Sequence, residues 1–303
     1  MFTLKANGKL LTIRRPLIMG IINRSPDSFY SGSRFADNDA LLQQAEKMLT
    51  GGADWLDIGG QSTRPGAALV GEEEELRRVA DAIDLLHRQW PELPLSVDTW
   101  YARVARAAVG AGASIVNDIS GGLSDPAMLE TVGRLGVPYV CMHMRGTPAT
   151  MNKEAVYDNV VTAVLDFFID RIEACRKAGI HDIILDPGLG FAKTAVHNFQ
   201  LLHQLRLFRI CGKPLLLGIS RKSTIYRTLG IAPEEALNGT TVLHTIGLLH
   251  GADILRVHDP KEAREAILLL EAYRQAQPSE TKASEPTAKD ASEAGEGRSL
   301  PKL

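Results

Sequence analysis

The sequence predicts an α/β protein of the (β/α)8 TIM-barrel class, on three observations. After Pro16, short apolar runs alternate with longer stretches of helical periodicity, as in a parallel sheet whose strands alternate with helices. Eight such pairs follow one another over about 260 residues, which is the usual number and size for this barrel. A doubly wound open sheet is the alternative, but the glycine-rich dinucleotide loop expected after its first strand is absent.

The predicted elements begin with a β-hairpin, because Phe2–Ile13 alternates around Asn7-Gly8. The barrel strands are predicted at Leu17–Ile22, Asp54–Ile58, Leu95–Asp98, Ser114–Asp118, Tyr139–His143, Ile183–Asp186, Leu215–Ser220 and Asp253–His258. The helices are predicted at Asn38–Thr50, Glu73–Gln89, Ala102–Gly110, Pro126–Leu135, Ala155–Ala178, Ala195–Ile210, Pro233–His250 and Pro260–Gln275. Residues 276–303 are almost without apolar side chains before Leu300, so we predict a disordered tail after a single domain over residues 1–275.

The composition is that of an ordinary globular enzyme. Of the 303 residues, 45% are hydrophobic and 23% are charged, and the formal net charge is −2, which favours neither nucleic acid nor a membrane surface as a partner. The three cysteines, Cys141, Cys175 and Cys211, show no zinc-binding spacing, so a reduced interior is expected. Because we find neither a signal peptide nor a membrane span, we expect a cytoplasmic enzyme.

Polar side chains follow the apolar stem of every predicted barrel strand. In strand order they are Asn23, Asp57 with the loop 59–66, Asp98, Asn117-Asp118, His143 after Met142, Asp186, Ser220-Arg221-Lys222, and Arg256 with His258. The carboxyl ends of the strands form the active site in barrels of this class. The sequence therefore predicts a polar active site at this end.

Two groups of these residues suit two kinds of ligand. Asp98, Asn117 and Asp186 offer carboxylate and amide groups that match the N–C–N edge of a flat amino-pyrimidine heterocycle. Lys222 can donate a hydrogen bond to a carbonyl of the same ring. An anion-binding set that suits phosphate consists of Ser62, Thr63, Arg64, Arg256 and His258.

These residues lie in motifs that resemble those of a known family, the dihydropteroate synthases, from about Leu17 to Glu271. In chain order the motifs are MGIINRSPDSF, DIGGQSTRPGA, VDT, VNDISGG, DPGLGFAKT, GISRKS and DILRVHD. Each alone is a weak signal. Seven in the right order on eight predicted strands are a specific one.

The resemblance implies a transferase of folate biosynthesis, in which para-aminobenzoate displaces pyrophosphate from 6-hydroxymethyl-7,8-dihydropterin diphosphate to give 7,8-dihydropteroate. It implies Mg²⁺ as cofactor, ligated by Asn23, and a homodimer that is a sulfonamide target. The implied pterin site is Asp98, Asn117, Met142, Asp186, Phe191, Gly218 and Lys222. The implied diphosphate site is Thr63, Arg64, Arg256 and His258, and the implied aminobenzoate site is Phe29, Pro65, Ser220 and Arg221. Catalytic roles are implied for Asn23, Arg64, Lys222, Arg256 and His258.

The chain departs from the family's common motifs at several positions. Arg24-Ser25 stand where a small apolar residue and a threonine are usual, and Tyr30-Ser31 replace a polar and acidic pair. Leu189 and Ala192 stand where phenylalanine and glycine are frequent. None removes a residue expected to bind pterin or phosphate, and their expected effect is on the shape of the aminobenzoate pocket.

Alternatives to these assignments stay open. Lys222 can also be a Schiff-base lysine or a cation that reaches solvent. We interpret Asp57 as a loop-bracing carboxylate, His143 as a packed histidine and Glu72–Glu75 as acids that favour a helix N-terminus. His197 is predicted to cap the helix after the sixth strand. The rival functions are a corrinoid-dependent pterin methyltransferase and a pterin-binding protein without turnover.

Overall fold

The computed structural model describes residues 1–6, 8–24, 34–61, 70–151 and 153–276. It opens with the predicted antiparallel hairpin, formed by β1 (Phe2–Ala6) and β2 (Lys9–Ile13). Beyond Ala276 the predicted tail lies outside the described residues, so the tail and the single domain ahead of it stay predictions.

Eight parallel strands form a barrel in the described chain, as predicted. They are β3 (Leu17–Asn23), β4 (Trp55–Gly59), β5 (Leu95–Asp98), β6 (Ile115–Asp118), β7 (Tyr139–Met142), β8 (Ile183–Asp186), β9 (Leu216–Leu217) and β10 (Ile254–Val257). Hydrogen-bonded neighbours follow the order β8-β7-β6-β5-β4-β3-β10-β9. The circle is completed by a parallel bridge between Leu185 and Leu215, where the Leu185 amide donates to the Pro214 carbonyl over 2.9 Å.

Helices surround the barrel and follow its strands. They are α1 (Arg34–Thr50), α2 (Glu72–Gln89), α3 (Ala102–Gly110), α4 (Met128–Leu135), α5 (Val160–Lys177), α6 (Ala195–His203), α7 (Ser223–Leu229), α8 (Leu237–Leu249) and α9 (Pro260–Gln275), with 3-10 helices at Leu205–Cys211 and Pro233–Glu235. The predicted cap of α6 is confirmed, since the Thr194 hydroxyl accepts from the His197 amide and the His197 ring nitrogen accepts from the Thr194 amide.

Side chains along each barrel strand alternate between an outer and an inner face. The outward side chains, such as Leu56 and Ile58, belong to the large core between strands and helices. The inward side chains near the strand starts form a second buried cluster, which we call the N-terminal core. It consists of Met19, Trp55, Ile115, Val140, Ile184, Leu216 and Ile254, together with Leu4 and Ile13 of the hairpin. The hairpin therefore closes the N-terminal end of the barrel.

The structure differs from the prediction mainly around strand β9. Of the predicted Leu215–Ser220, only Leu216–Leu217 form regular strand, and α7 was not predicted. Predicted helix Ala155–Ala178 begins later, at Val160, because the Asn159 side chain caps α5 by accepting from the Val161 and Thr162 amides. No described helix is long and apolar enough to cross a membrane.

Candidate active site

The C-terminal ends of the strands bring most of the predicted polar residues to one end of the barrel. Strand pairing places them side by side: Asp98 lies opposite Asn117, Met142 opposite Asp186, and Asn23 opposite Gly59. On every one of these strands except β5, which contributes no residue to the N-terminal core, the position lies an even number of residues beyond that core, so its side chain points into the barrel. Phe29, Thr63, Arg64 and Pro65 fall outside the described residues.

Arg256 joins two buried carboxylates at the mouth of the barrel. Its Nε donates to Asp57 Oδ2 over 2.6 Å, and its Nη2 donates to Asp98 Oδ2 over 2.7 Å. The Asn117 amide nitrogen donates to the same Asp57 oxygen over 3.0 Å. Asp57 is fully buried, so its role extends beyond bracing a loop: it orients two of the predicted site residues.

Burial and crowding of like charges set the ionisation of this network. Burial raises the pKa of Asp98 to about 7, against the lowering effect of Arg256 and with a further raising effect of Asp57. Although burial lowers the pKa of Arg256, the Asp57 and Asp98 carboxylates outweigh it and raise that pKa. Arg256 thus stays charged, while Asp98 can exchange a proton near neutral pH.

Asp186 and Lys222 flank Gly218 on the opposite side of the mouth. A Cβ atom at Gly218 would lie 3.7 Å from both Asp186 Oδ2 and Lys222 Nζ, so the missing side chain leaves open the space beside these two groups. The Lys222 ammonium donates to the Leu189 carbonyl and lies 4.5 Å from the centroid of the Phe191 ring. We call the space bordered by these groups, with Asp98 and Asn117 across the mouth, the slot.

The charges of Asp186 and Lys222 depend on each other. Burial lowers the pKa of Lys222 to about 8, opposed by the Asp186 carboxylate. Burial raises the pKa of Asp186, opposed by the Lys222 ammonium and by the hydrogen bond from the Gly188 amide. The Lys222 ammonium contacts the Leu189 carbonyl and the Phe191 ring, which argues against the alternative in which this side chain extends into solvent.

Lys193 ties two loops of the slot together, and the sequence analysis missed it. Its ammonium donates to His143 Nδ1 over 2.9 Å, to the His143 carbonyl over 3.2 Å and to the Phe191 carbonyl over 2.9 Å. Burial lowers the pKa of His143 to about 2, so the ring stays neutral, in keeping with a packed histidine. Ala192, between Lys193 and Phe191, has a left-handed backbone with φ +50°.

Ser220, Arg221 and His258 connect the ends of β9 and β10. The Ser220 hydroxyl accepts from the His258 amide over 3.1 Å and lies 3.1 Å from His258 Nδ1. Arg221 instead forms a two-bond ion pair with Asp259, over 2.7 and 2.8 Å, and a third bond to the Glu234 carbonyl. The structure therefore places Arg221 in a bracing position beside the site, and its assignment to the aminobenzoate stays a prediction.

Glu75 is a second residue near the mouth that the sequence analysis read as structural. It is fully buried, and Gln61 Nε2 donates to its Oε2 over 2.6 Å. Burial raises its pKa to about 7, against a hydrogen bond from Thr99 and with a contribution from the nearby Asp98 carboxylate. A Cβ atom at Gly60 would approach Glu75 Cγ to 2.8 Å, so the Glu75 side chain packs tightly against the end of β4.

Comparison with known proteins gives a consistent family. Residues 19–258 match the family of pterin binding enzymes. The dihydropteroate synthase of Escherichia coli strain K12 is 42% identical over 269 residues, which cover 88% of this chain and 95% of that protein. The chain belongs to the dihydropteroate synthases. The predicted family is confirmed, and with it a transferase that acts in folate synthesis.

Solved structures of the family agree with this fold. The Xanthomonas albilineans dihydropteroate synthase with 4-aminobenzoic acid has a TM-score of 0.84 and 42% identity, covering 91% of this chain and 99% of that one. The Yersinia pestis dihydropteroate synthase in a sulfonamide drug complex has a TM-score of 0.84 and 41% identity, covering 91% of this chain and 100% of that one.

Proposed function

We propose that the site condenses 6-hydroxymethyl-7,8-dihydropterin diphosphate with para-aminobenzoate, giving 7,8-dihydropteroate and pyrophosphate. The observation that carries the proposal is the slot between Asp98 and Asn117 on one side and Asp186 and Lys222 on the other. Its acceptors and the Lys222 ammonium match the amino-pyrimidine edge and carbonyl of a pterin. Met142 and Phe191 supply apolar walls for the ring, since both are buried in one cluster at this end.

The diphosphate is proposed to bind at Arg256 and His258, together with Thr63 and Arg64. The two bonds of Arg256 to Asp57 and Asp98 fix its guanidinium plane and leave three N–H groups for phosphate oxygens. As the bond to the pterin methylene breaks, negative charge grows on the leaving diphosphate, and a preset guanidinium stabilises it without reorganising. The aromatic amine needs no protein nucleophile, because it attacks the methylene itself.

The aminobenzoate is proposed to lie near Ser220, whose hydroxyl is held by His258, with Phe29, Pro65 and Arg221 as further neighbours. Its place beside the pterin follows from the reaction, since the amine must reach the carbon that loses the diphosphate. The Xanthomonas albilineans relative was solved with 4-aminobenzoic acid, which supports this choice of acceptor. The sulfonamide complex of the Yersinia pestis relative supports sulfonamides as competitors for the same place.

Magnesium is proposed as the cofactor, and the donor set fits it. Asn23 Oδ1 and Asp98 Oδ2 lie 3.4 and 3.7 Å from the point where a Cβ atom of Gly59 would stand, so two oxygen donors lie close to one point beside Gly59. Mg²⁺ prefers oxygen ligands and takes few from the protein when a substrate supplies phosphates. Asn23 would hold the ion, which when bound neutralises charge on the diphosphate.

A homodimer is also proposed, and apolar side chains on the outside of the barrel support it. On α8 and α9, Val242, Leu268, Leu269 and Tyr273 are exposed, with Tyr273 68% and Leu269 73% accessible. Large apolar side chains grouped on neighbouring helices mark surfaces that other chains cover. Sedimentation at several protein concentrations tests this, and a Leu269→Lys variant that stays dimeric would argue against this face.

The reaction is tested by pyrophosphate release from the full chain with the dihydropterin diphosphate and Mg²⁺, with and without para-aminobenzoate. Release that depends on the aminobenzoate, and that yields dihydropteroate in equal amount, is the expected result. Binding of the pterin without release would instead indicate a binding protein. Release without the aminobenzoate would indicate a hydrolase.

A further inference from the structure

A second cavity lies at the N-terminal end of the barrel, away from the active site. Its volume is about 440 Å³, and we call it the arginine cavity. It is lined by Met1, Ile13, Arg14, Arg15, Pro16, Arg206, Arg209, Leu248, Leu249, Gly251, Ala252, Asp253 and Arg274. Pro16 precedes β3 and Asp253 precedes β10, whereas Arg256 and His258 lie at the opposite end of β10.

The lining carries a strong positive charge in a chain whose formal net charge is −2. Five arginines contribute five positive charges, and Asp253 is the one carboxylate among the described lining residues, which leaves four uncompensated charges. Charges of one sign at the rim of a cavity attract and concentrate ions of the other sign. The lining therefore favours an anionic ligand.

Three of these arginines are already oriented by the protein. Arg206 donates to the Leu249 carbonyl over 3.2 Å and Arg274 to the Leu248 carbonyl over 2.9 Å, at the end of α8. Arg209 donates to the Gly251 carbonyl over 3.0 Å through the same nitrogen that contacts Asp253. Each guanidinium uses one nitrogen in this way, so most of its five N–H groups stay available in a preset position.

The other two arginines come from the connection between the hairpin and the barrel. Arg14 and Arg15 follow β2 directly, and both are exposed. Within the part of the chain that the structure describes, neither forms an ion pair with a carboxylate of the cavity, since Asp253 is bound to Arg209. Binding of an anion would relieve their repulsion with the three oriented arginines.

We propose that the arginine cavity binds a small molecule that carries two or more phosphate groups. Arginine forks bind phosphate oxygens in pairs, and five of them around one space match a ligand with several such groups. The volume lies within the range of small-molecule sites, about 300–1,000 Å³. Ile13, Pro16 and Ala252 add an apolar side that can accept a nonpolar part of the ligand.

The proposal is tested by calorimetric titration of the full chain with inorganic tripolyphosphate at 0.15 M salt. The cavity variant is Arg14→Glu with Arg15→Glu. The control variant, Arg106→Glu with Arg134→Glu, changes the net charge equally on α3 and α4, outside the cavity. An Arg256→Ala variant removes a predicted phosphate contact of the active site.

Saturable binding is expected in the unmodified chain, the control variant and Arg256→Ala, with at least a tenfold weaker affinity in the cavity variant. Pyrophosphate release by the cavity variant should stay unchanged, which shows that it is folded. Equal affinity in the cavity and control variants, a loss confined to Arg256→Ala, or no saturable binding would each overturn the proposal. Titration with adenosine triphosphate then separates two sources: tighter binding than tripolyphosphate indicates a nucleotide, and weaker binding indicates an inorganic polyphosphate.

Discussion

The two ends of the barrel are built from the same strands but serve opposite needs. On β8, Ile184 belongs to the N-terminal core, while Asp186, two residues further, lies at the active-site mouth. The same step leads from Ile115 to Asn117 on β6 and from Ile254 to Arg256 on β10. One end buries apolar surface and stabilises the fold, whereas the other holds buried charges that cost stability.

Ionisable groups with strongly shifted pKa values are concentrated at the mouth of the barrel. Asp98 and Glu75 have pKa values raised by burial to about 7, and Lys222 has one lowered to about 8, all at the mouth. The left-handed Ala192 is there too. Strain and unfavourable ionisation are tolerated at functional sites when the rest of the fold supplies the stability. Substitutions at the two ends should therefore separate stability from activity.

The largest effect is expected from Ile184→Ala in the N-terminal core. Deleting this side chain from a fully buried position should lower the free energy of unfolding by about 2–5 kcal/mol, because the cavity that remains collapses only in part. Urea unfolding measures the loss. The kcat/KM of the folded fraction should stay within about threefold of the original. A loss of activity as large as that of an active-site variant would contradict the separation of stability and activity between the two ends.

At the other end, Lys222→Ala and Asp186→Asn should each lower kcat/KM by at least about a hundredfold, roughly 2.7 kcal/mol of transition-state binding. Pyrophosphate release measures it, and both variants should stay folded, although each leaves a buried charge without its partner. Lys213→Ala is the matched control, because this lysine donates to the His181 carbonyl at the N-terminal side of β9 and should not affect the rate. Full activity in either variant would contradict the assignment of Asp186 and Lys222 to the pterin site.

Glu75→Gln should change how the stability of the protein depends on pH. Because the folded-state pKa of Glu75 is raised from 4.5 to about 7, its proton stabilises the fold below pH 4.5, and this contribution is lost as the pH rises through about 7. The glutamine keeps a neutral side chain, so the variant should gain about 2 kcal/mol more at pH 8 than at pH 5.5, relative to the original. Urea midpoints at both pH values measure this. Glu73→Gln, exposed in the same helical turn, should show no such gain.

The smallest effect is expected from Ala192→Gly. A left-handed backbone destabilises a residue with a Cβ atom by about 1–2 kcal/mol. Burial of the Ala192 methyl group stabilises the folded protein by about 0.8 kcal/mol, so the Ala192→Gly variant should be more stable than the original by about 0.5 kcal/mol. Thermal unfolding measures it. Ala108→Gly, at a buried helical position in α3, should instead destabilise. A destabilised Ala192→Gly would show that packing outweighs strain at this position.

The strands and the order of site residues were predictable because both are local signals. Short apolar runs ending in a polar residue fix where a parallel strand stops, and Asp98, Asn117 and Asp186 all lie at such ends. Helix α7 was not predicted, because Thr224, Ile225 and Thr228 are poor helix formers within a seven-residue segment. Strand β9 came out shorter than predicted, since an apolar run does not by itself show how many residues pair with a neighbour.

The roles of Glu75, Asp57 and Lys193 at the site were not predicted from the sequence, because they depend on contacts between distant parts of the chain. Glu75 did carry a signal: it is the first member of the buried stripe Val79, Ala82, Ile83 and Leu86 on α2, so a charge stood where an apolar side chain was due. Asp57 and Arg256 are 199 positions apart, and their contact follows from barrel closure alone. Lys193 is one of two lysines near the slot, and the sequence does not tell which lysine reaches the ligand.

The bridge that completes the barrel also determines where its wall opens most easily. Strands β8 and β9 meet at Leu185 and Leu215, with far fewer ladder bonds than β3 and β4, which pair over five positions. This seam is therefore the easiest place for the wall to part, and amide exchange should be fastest along it. The seam ends between Asp186 and Gly218. A ligand that contacts Asp186 and Gly218 together would add a link between the two strands where few hydrogen bonds join them.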